Sequence, residues 1–278
     1  MKNNSESTLN FLQIHNRIIY HPQSQATLFA ENFASNNIIH EPLPLDFFAQ
    51  DNSLINKPCH ISELNRAINS AKNTTPGADQ IPAKFLKLLN HSERTIILNF
   101  FQQIFDKAIV PKEWKHAIIL PVPKPCKDKT KISSYRPIAL TSVFSKTFER
   151  ILANRIAYFL VTEQKLHQQH YGFVPFKDNR TAAYIIYKEI TDAKMEKKYF
   201  VGISLDIKSA YDSVYIDGLI YKCLEIGITG LIALWIHGFL SYRSLQIRWR
   251  GCLSSEKTLL KGLPQGSVLS PYYYTLYV

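Results

Sequence analysis

Two aspartates, Asp206 and Asp212, flank the polar turn that closes an apolar run beginning at Phe200. Phe200-Val-Gly-Ile-Ser-Leu205 has the length and β-branched character of a strand, and Lys208-Ser-Ala-Tyr-Asp212 has turn chemistry. A carboxylate at the end of a buried strand can hold a hard divalent cation, which prefers oxygen donors. The same letters also describe an ordinary strand-to-helix turn with an aspartate cap, and the segment alone leaves both readings open. A second set of groups is cationic. From Lys107 to Arg136 eight basic residues, Lys124 and Arg136 among them, stand against two acids, Glu113 and Asp128. Ala117-Ile-Ile-Leu-Pro-Val122 between them reads as a strand, so the segment predicts a cationic hairpin suited to phosphate groups. An edge hairpin kept from aggregating by its lysines would look alike.

The elements that must position these groups are mostly helical. Length, 278 residues with 46% hydrophobic content, allows about two units of roughly 150 residues, or one larger one, with a sizeable core. Residues 1–20 read as a weakly ordered tail, 23–36 as a short helix and 37–60 as a linker. Ser62 is a candidate cap for the next helix, Pro82 opens a short one, and Ser92 begins a longer one with a wide apolar face. Ser142 to Glu163 repeats apolar residues at helical spacing and offers Lys146, Arg150 and Arg155 on its outer face. Residues 164–180 are loop-like; Asn179 or Thr181 starts another helix. Asp217 and Thr229 are candidate caps for two more. Ser244 to Arg250 alternates as a half-buried strand, with 257–260 as a hairpin partner.

Charge and cysteine usage bound the function. The formal net charge is +11 and the isoelectric point near 9.4, which favours a polyanionic partner, nucleic acid or an acidic membrane surface. Cys59, Cys126, Cys223 and Cys252 are too far apart for a zinc site and follow no signal peptide, so four reduced thiols of an intracellular protein are expected. His167 and His170 read as a surface pair. No run reaches the roughly 18 apolar residues of a membrane span.

Five segments stand in an order more specific than any one of them. Thr75-Pro-Gly-Ala-Asp-Gln-Ile-Pro82, Pro121-Val-Pro-Lys-Pro125, Ser134-Tyr-Arg-Pro-Ile-Ala-Leu140, Leu205-Asp-Ile-Lys-Ser-Ala-Tyr-Asp-Ser-Val214 and Gly262-Leu-Pro-Gln-Gly-Ser-Val-Leu-Ser-Pro271 follow one another along the chain. On these segments the chain resembles the reverse transcriptases of non-LTR retrotransposons, most closely the Jockey-like group. The last two segments are similar to that family's motifs A and B. The resemblance implies an α+β right-hand polymerase, helix-rich with a small antiparallel sheet: an N-terminal extension and linker over 1–60, fingers over 61–199 and an incomplete palm over 200–278. It implies RNA-directed DNA synthesis from an RNA template, a DNA primer and dNTPs, with two Mg²⁺ ions; family analogy admits the nucleus. Asp206 would be the catalytic metal ligand and the Ile207 carbonyl a second oxygen. Lys124 and Arg136 would neutralise the triphosphate, Tyr211 would exclude a 2′-hydroxyl, and Gln265 and Gly266 would shape the nucleotide pocket. Intron maturases and telomerase-like enzymes share such a fold but match the 135–138 and 262–271 wording less well. Tyr211 disfavours an RNA-dependent RNA polymerase.

The departures carry their own expectations. Val174 and Phe176 replace the family's usual Arg and Gly, which weakens a template contact, and Tyr272-Tyr-Tyr274 replaces Leu-Leu-Phe. The family's motif C, Tyr-x-Asp-Asp, does not follow motif B, and no Asp-Asp pair occurs in the sequence. The expectation is a chain inactive as a polymerase by itself, or an RNA-binding relic.

Overall fold

A computed structural model describes residues 11–14, 17–34, 54–175 and 177–278. The expected tail over 1–10, most of the expected linker, and Phe176 lie outside the described residues. Where the tail is described it is a hairpin, β1 (Leu12–Ile14) antiparallel to β2 (Arg17–Ile19). Helix α1 (Pro22–Phe33) follows, with its proline in the first turn.

Phe148 lies at the centre of the larger, helical core. It is fully buried, with Trp235 at 5.1 Å, Phe101 at 5.2 Å and Phe105 at 6.3 Å between ring centroids. The surrounding helices are α2 (Ile61–Asn69), α3 (Ala83–Leu88), α4 (His91–Asp106), the short α5 (Lys112–Lys115), α6 (Val143–Thr162), α8 (Ile216–Glu225), α9 (Leu231–Leu240) and α10 (Ser270–Tyr277). Ser142 caps α6 through Phe144 N–H at 3.2 Å. The cap of α2 is His60, two residues before the expected Ser62, because His60 and Glu63 complete a reciprocal capping box. Tyr215 and Gly230 likewise occupy the cap positions expected of Asp217 and Thr229.

Arg155 corrects two expectations. It is only 8% exposed, not on an outer face. Its guanidinium bonds both carboxylate oxygens of Glu63 at 2.8 Å and the carbonyls of Ile55, Lys57 and Pro58. Residues 54–60, expected as linker, are therefore docked: a buried guanidinium needs its donors satisfied, and these carbonyls do so.

The second core lies where α1 packs on a mixed sheet. The strands are β3 (His116–Pro123), β4 (Tyr135–Leu140), β5 (Arg243–Trp249), β6 (Cys252–Leu253) and β7 (Lys257–Leu259), in the order β4-β3-β5-β6 with β7 also on β5. The chain is helix-rich and β1–β2 is a small antiparallel sheet, as expected, but this larger sheet is mixed, since β3 and β5 run parallel. The long helical connection between them permits it, since a parallel pair needs a crossover rather than a turn. Phe29, Tyr135 and Trp249 meet here, and Trp249 Nε1 donates to Gln25 at 2.7 Å.

The expected strand over 200–206 is absent. No ladder reaches it among the described residues, and Val201, Ile203 and Leu205 are 82%, 85% and 89% exposed. Alternation prepares a segment for a sheet, but only a neighbouring strand supplies the hydrogen bonds. Helix α7 (Asn179–Met195), capped by Asp178, precedes it and also buries none of its residues. Among the described residues no helix is long and apolar enough to cross a membrane.

Candidate functional site

One cleft of about 730 Å³ collects residues that lie far apart in sequence. Its walls come from the β3–β4 hairpin, the turn 207–213, the start of β5 and the loop 261–265. Lys115, Lys124, Arg136, Lys208, Arg243 and Lys261 line it, against one carboxylate, Asp212. Such a ratio suits a polyanion, because clefts lined by one sign of charge focus the field.

The hairpin places two of the cations. Arg136 pairs with Val122 across the ladder, and Lys124 N–H donates to Ser134 O at 2.7 Å just beyond it. The Lys124 ammonium rests on Ser133 O at 2.8 Å and Arg136 is exposed. Pro121, Pro123 and Pro125 frame Lys124 in the sequence, and proline restricts the backbone at each.

The 207–213 turn is fastened to the 262–263 segment by backbone bonds: Gly262 N–H to Val214 O at 2.9 Å and Leu263 N–H to Tyr211 O at 2.8 Å. This puts Tyr211 and Asp212 on the cleft wall. Tyr211 stands edge-on to Tyr274, at 5.3 Å and 76°. Asp212 accepts from Gln265 Nε2 at 3.1 Å. The surrounding protein displaces water from Asp212 and pushes its carboxyl above the usual 3.8, while the Gln265 bond, Lys124 and Arg243 pull it back. Arg243 is fully enclosed; burial draws its guanidinium down to about 10, opposed by the charge of Asp212. It donates to Leu240 O, Lys261 O and Gly262 O, so a cation buried at the cleft wall also holds the loop.

Gln265 and Gly266 press on β4. Ala139 N–H donates to Gln265 O at 2.8 Å, and a Cβ on Gly266, whose φ is 151°, would lie 2.3 Å from Ala139 O. Only glycine fits that approach. Gly77, in the Thr75–Pro82 segment, is similarly pressed on the α6 cap, where a Cβ would lie 2.8 Å from Ser142 N.

The structure thus brings Lys124, Arg136, Ile207, Tyr211 and Gln265 into one cleft, with Gly266 behind Gln265. Asp206 is exposed and adjoins the cleft at Ile207 without lining it. Among the described residues no group of three His, Cys, Asp or Glu is placed to hold a metal ion. Lys115 belongs to the basic 107–136 segment read from the sequence, whereas Arg243 escaped sequence reasoning, since the alternation of 244–250 marks a strand and says nothing of a cation at its start. His167 and His170 bond local backbone, at Gln169 N–H and Gly172 O, and the four cysteines are free. Burial pushes the Cys223 thiol to about 12, which leaves it unreactive.

Comparison with known proteins bears on this cleft. The family model described as "Reverse transcriptase (RNA-dependent DNA polymerase)" matches residues 122–278. A probable RNA-directed DNA polymerase from transposon BS of Drosophila melanogaster is 31% identical over 226 residues, 81% of this chain and 25% of that protein. The RNA-directed DNA polymerase from mobile element jockey of the same organism is 30% identical over 202 residues, 73% of this chain and 22% of that protein. A Pol polyprotein from the type-1 retrotransposable element R2 of Popillia japonica is 25% identical over 219 residues, 78% of this chain and 29% of that protein. The chain spans about a quarter of the length of these curated relatives.

Proposed function

Because the chain belongs to the reverse transcriptase (RNA-dependent DNA polymerase) family, we propose that its basic cleft receives the incoming deoxynucleoside triphosphate of RNA-directed DNA synthesis. In this reading 61–199 act as fingers, 200–278 contribute to the palm, and 1–60 precede them. Lys124 and Arg136 neutralise the phosphates, with charge-assisted bonds from the guanidinium. Tyr211, backed by Tyr274, lies against the sugar and leaves no room for a 2′-hydroxyl. Gln265 and Gly266 set the floor on which base and template meet. RNA template and DNA primer follow the overall positive charge, which favours phosphate backbones.

The observation that carries the reading is the convergence of Lys124, Arg136, Tyr211 and Gln265, separated by up to half the chain, on one cation-lined cleft. The family's two Mg²⁺ ions fit the described residues poorly. Asp206 and the Ile207 carbonyl are two oxygens at an exposed turn, Asp212 is engaged by Gln265, and no acidic group of three is present among the described residues. The chemistry these residues support by themselves is binding, alignment and rejection of the wrong sugar. That isolation of Asp206 also favours a second reading, in which this chain holds nucleotide and RNA without transferring the nucleotidyl group.

Equilibrium titration of the full chain with dTTP tests the proposal. Saturable binding that weakens about tenfold in Lys124→Ala and again in Arg136→Ala is expected from loss of charge-assisted phosphate contacts. Unchanged affinity in both variants would refute it. Primer extension on an RNA template separates the two readings: dTTP binding without extension supports the second.

A further inference from the structure

We propose that Glu149 is a positioning residue for the cleft: from inside α6 it fixes the loop that carries Gln265 and Gly266. The inference rests on the nucleotide-binding reading of the cleft. Glu149 is 0% exposed, next to Phe148, in a helix whose buried residues are mostly apolar. A carboxylate is tolerated there only if its lone pairs are used. They are. Oε1 accepts from Ser145 Oγ at 3.0 Å. Oε2 accepts from Ser267 Oγ, from Val268 N–H at 2.8 Å and from Leu269 N–H at 3.4 Å.

Those three donors belong to one short loop 118 residues or more away in sequence. They lie directly before α10, which has no side-chain cap of its own. Glu149 therefore ties down the residues that lead into that helix, where a negative charge is favoured by the helix dipole. The loop is held at both ends by buried charges of opposite sign. Arg243 binds the Lys261 and Gly262 carbonyls on the entry side, and Glu149 binds the 267–269 donors on the exit side. Between the two clamps Gln265 and Gly266 are pressed on Ala139, and the Gln265 amide reaches Asp212. Ser270 Oγ closes the turn onto Pro264 O at 2.9 Å. Glu149 lines no part of the cleft. Its effect on a nucleotide therefore passes through the loop.

The geometry distinguishes the substitutions. Glutamine keeps an oxygen for the loop and can offer its amide to Ser145. Alanine leaves three loop donors facing a void.

The test uses the full chain with dTTP as probe and four variants. Glu149→Ala should weaken dTTP binding by about tenfold, the worth of one or two hydrogen bonds to a charged group, while Glu149→Gln restores most of it. Leu160→Ala, at the far end of the same helix, lowers the melting temperature but should leave dTTP affinity intact. Amide exchange supplies a readout independent of nucleotide: Val268 and Leu269 should lose about tenfold protection in Glu149→Ala while Ile220 on α8 stays protected. Should Glu149→Ala not fold, Ser267→Ala removes one donor and should loosen the same two amides. Unchanged exchange at Val268 and Leu269, or equal loss of affinity in Leu160→Ala, would overturn the proposal. If the wild-type chain takes up no dTTP, the nucleotide reading fails, and the exchange pattern still decides whether Glu149 fixes the loop.

Discussion

Gln265 Nε2 donates to Asp212 Oδ1 at 3.1 Å, joining the loop before α10 to the turn that carries Tyr211. The two residues are 53 positions apart, and both line the cleft. Their contact couples the shape of the cleft to the ionisation of one carboxyl.

That coupling predicts a pH effect. Burial already holds the Asp212 carboxyl above 3.8, and the Gln265 bond opposes the shift. Gln265→Leu should raise it further, read by carbon NMR of the carboxyl. The stability sign is fixed by the direction: with a raised folded value, the contribution from Asp212 is full below 3.8 and lost as pH rises through the folded value. A downward move in Gln265→Leu would contradict the contact.

Glu63 behaves oppositely. Burial would raise its carboxyl, but the Arg155 hydrogen bond, His60 N–H and the Arg155 charge together hold it below the usual 4.5. Its stabilisation is present above 4.5 and lost as pH falls through the depressed folded value. Glu63→Gln should cost roughly 2 kcal/mol at neutral pH, from weaker bonds to a charged group, and the difference from wild type should shrink in acid. Urea melts at pH 7 and pH 3 measure both.

Gly266→Ala places a Cβ 2.3 Å from the Ala139 carbonyl oxygen, a backbone atom that cannot move aside cheaply. A stability loss of about 2 kcal/mol is expected. Loss of dTTP binding should accompany it, since the loop must lift from β4. Full stability and full binding in this variant would show that the loop is not seated as described.

Tyr273 carries a hydroxyl buried with no hydrogen-bond partner among the described residues. Burial, with the charge of Glu149 beside it, pushes this phenol well above 10. Tyr273→Phe removes the unmet group without removing the ring and should stabilise the chain by about 1 kcal/mol. Destabilisation by the same amount in a thermal melt would mean that the hydroxyl has a partner.

What the residues disclosed in advance depended on range. Helices α4 and α6, the β3–β4 hairpin and β5 announce themselves by local periodicity, and Ser142 caps where its type says it should. The parallel pairing of β3 with β5 is a tertiary choice between segments more than a hundred residues apart, with no local signal. The 200–206 run shows the limit from the other side: its alternation is that of a strand, yet no ladder reaches it among the described residues. Lys124, Arg136, Tyr211 and Gln265, which line one cleft, could be singled out beforehand because each sits in a short segment with a family resemblance. Arg243 and Glu149 were not, because a buried ion on an apolar element acquires meaning only from the remote carbonyls and amides it satisfies.

We propose that the cation-lined cleft holds the deoxynucleoside triphosphate. Photo-crosslinking the full chain with 8-azido-dATP, followed by peptide mapping, tests it most directly. Adducts confined to the segments 124–136, 207–213 and 261–266, removed by excess dATP and reduced in the Lys124→Ala, Arg136→Ala double variant, are expected. Labelling that excess dATP does not displace, or that maps to the exposed α7 face, would contradict it.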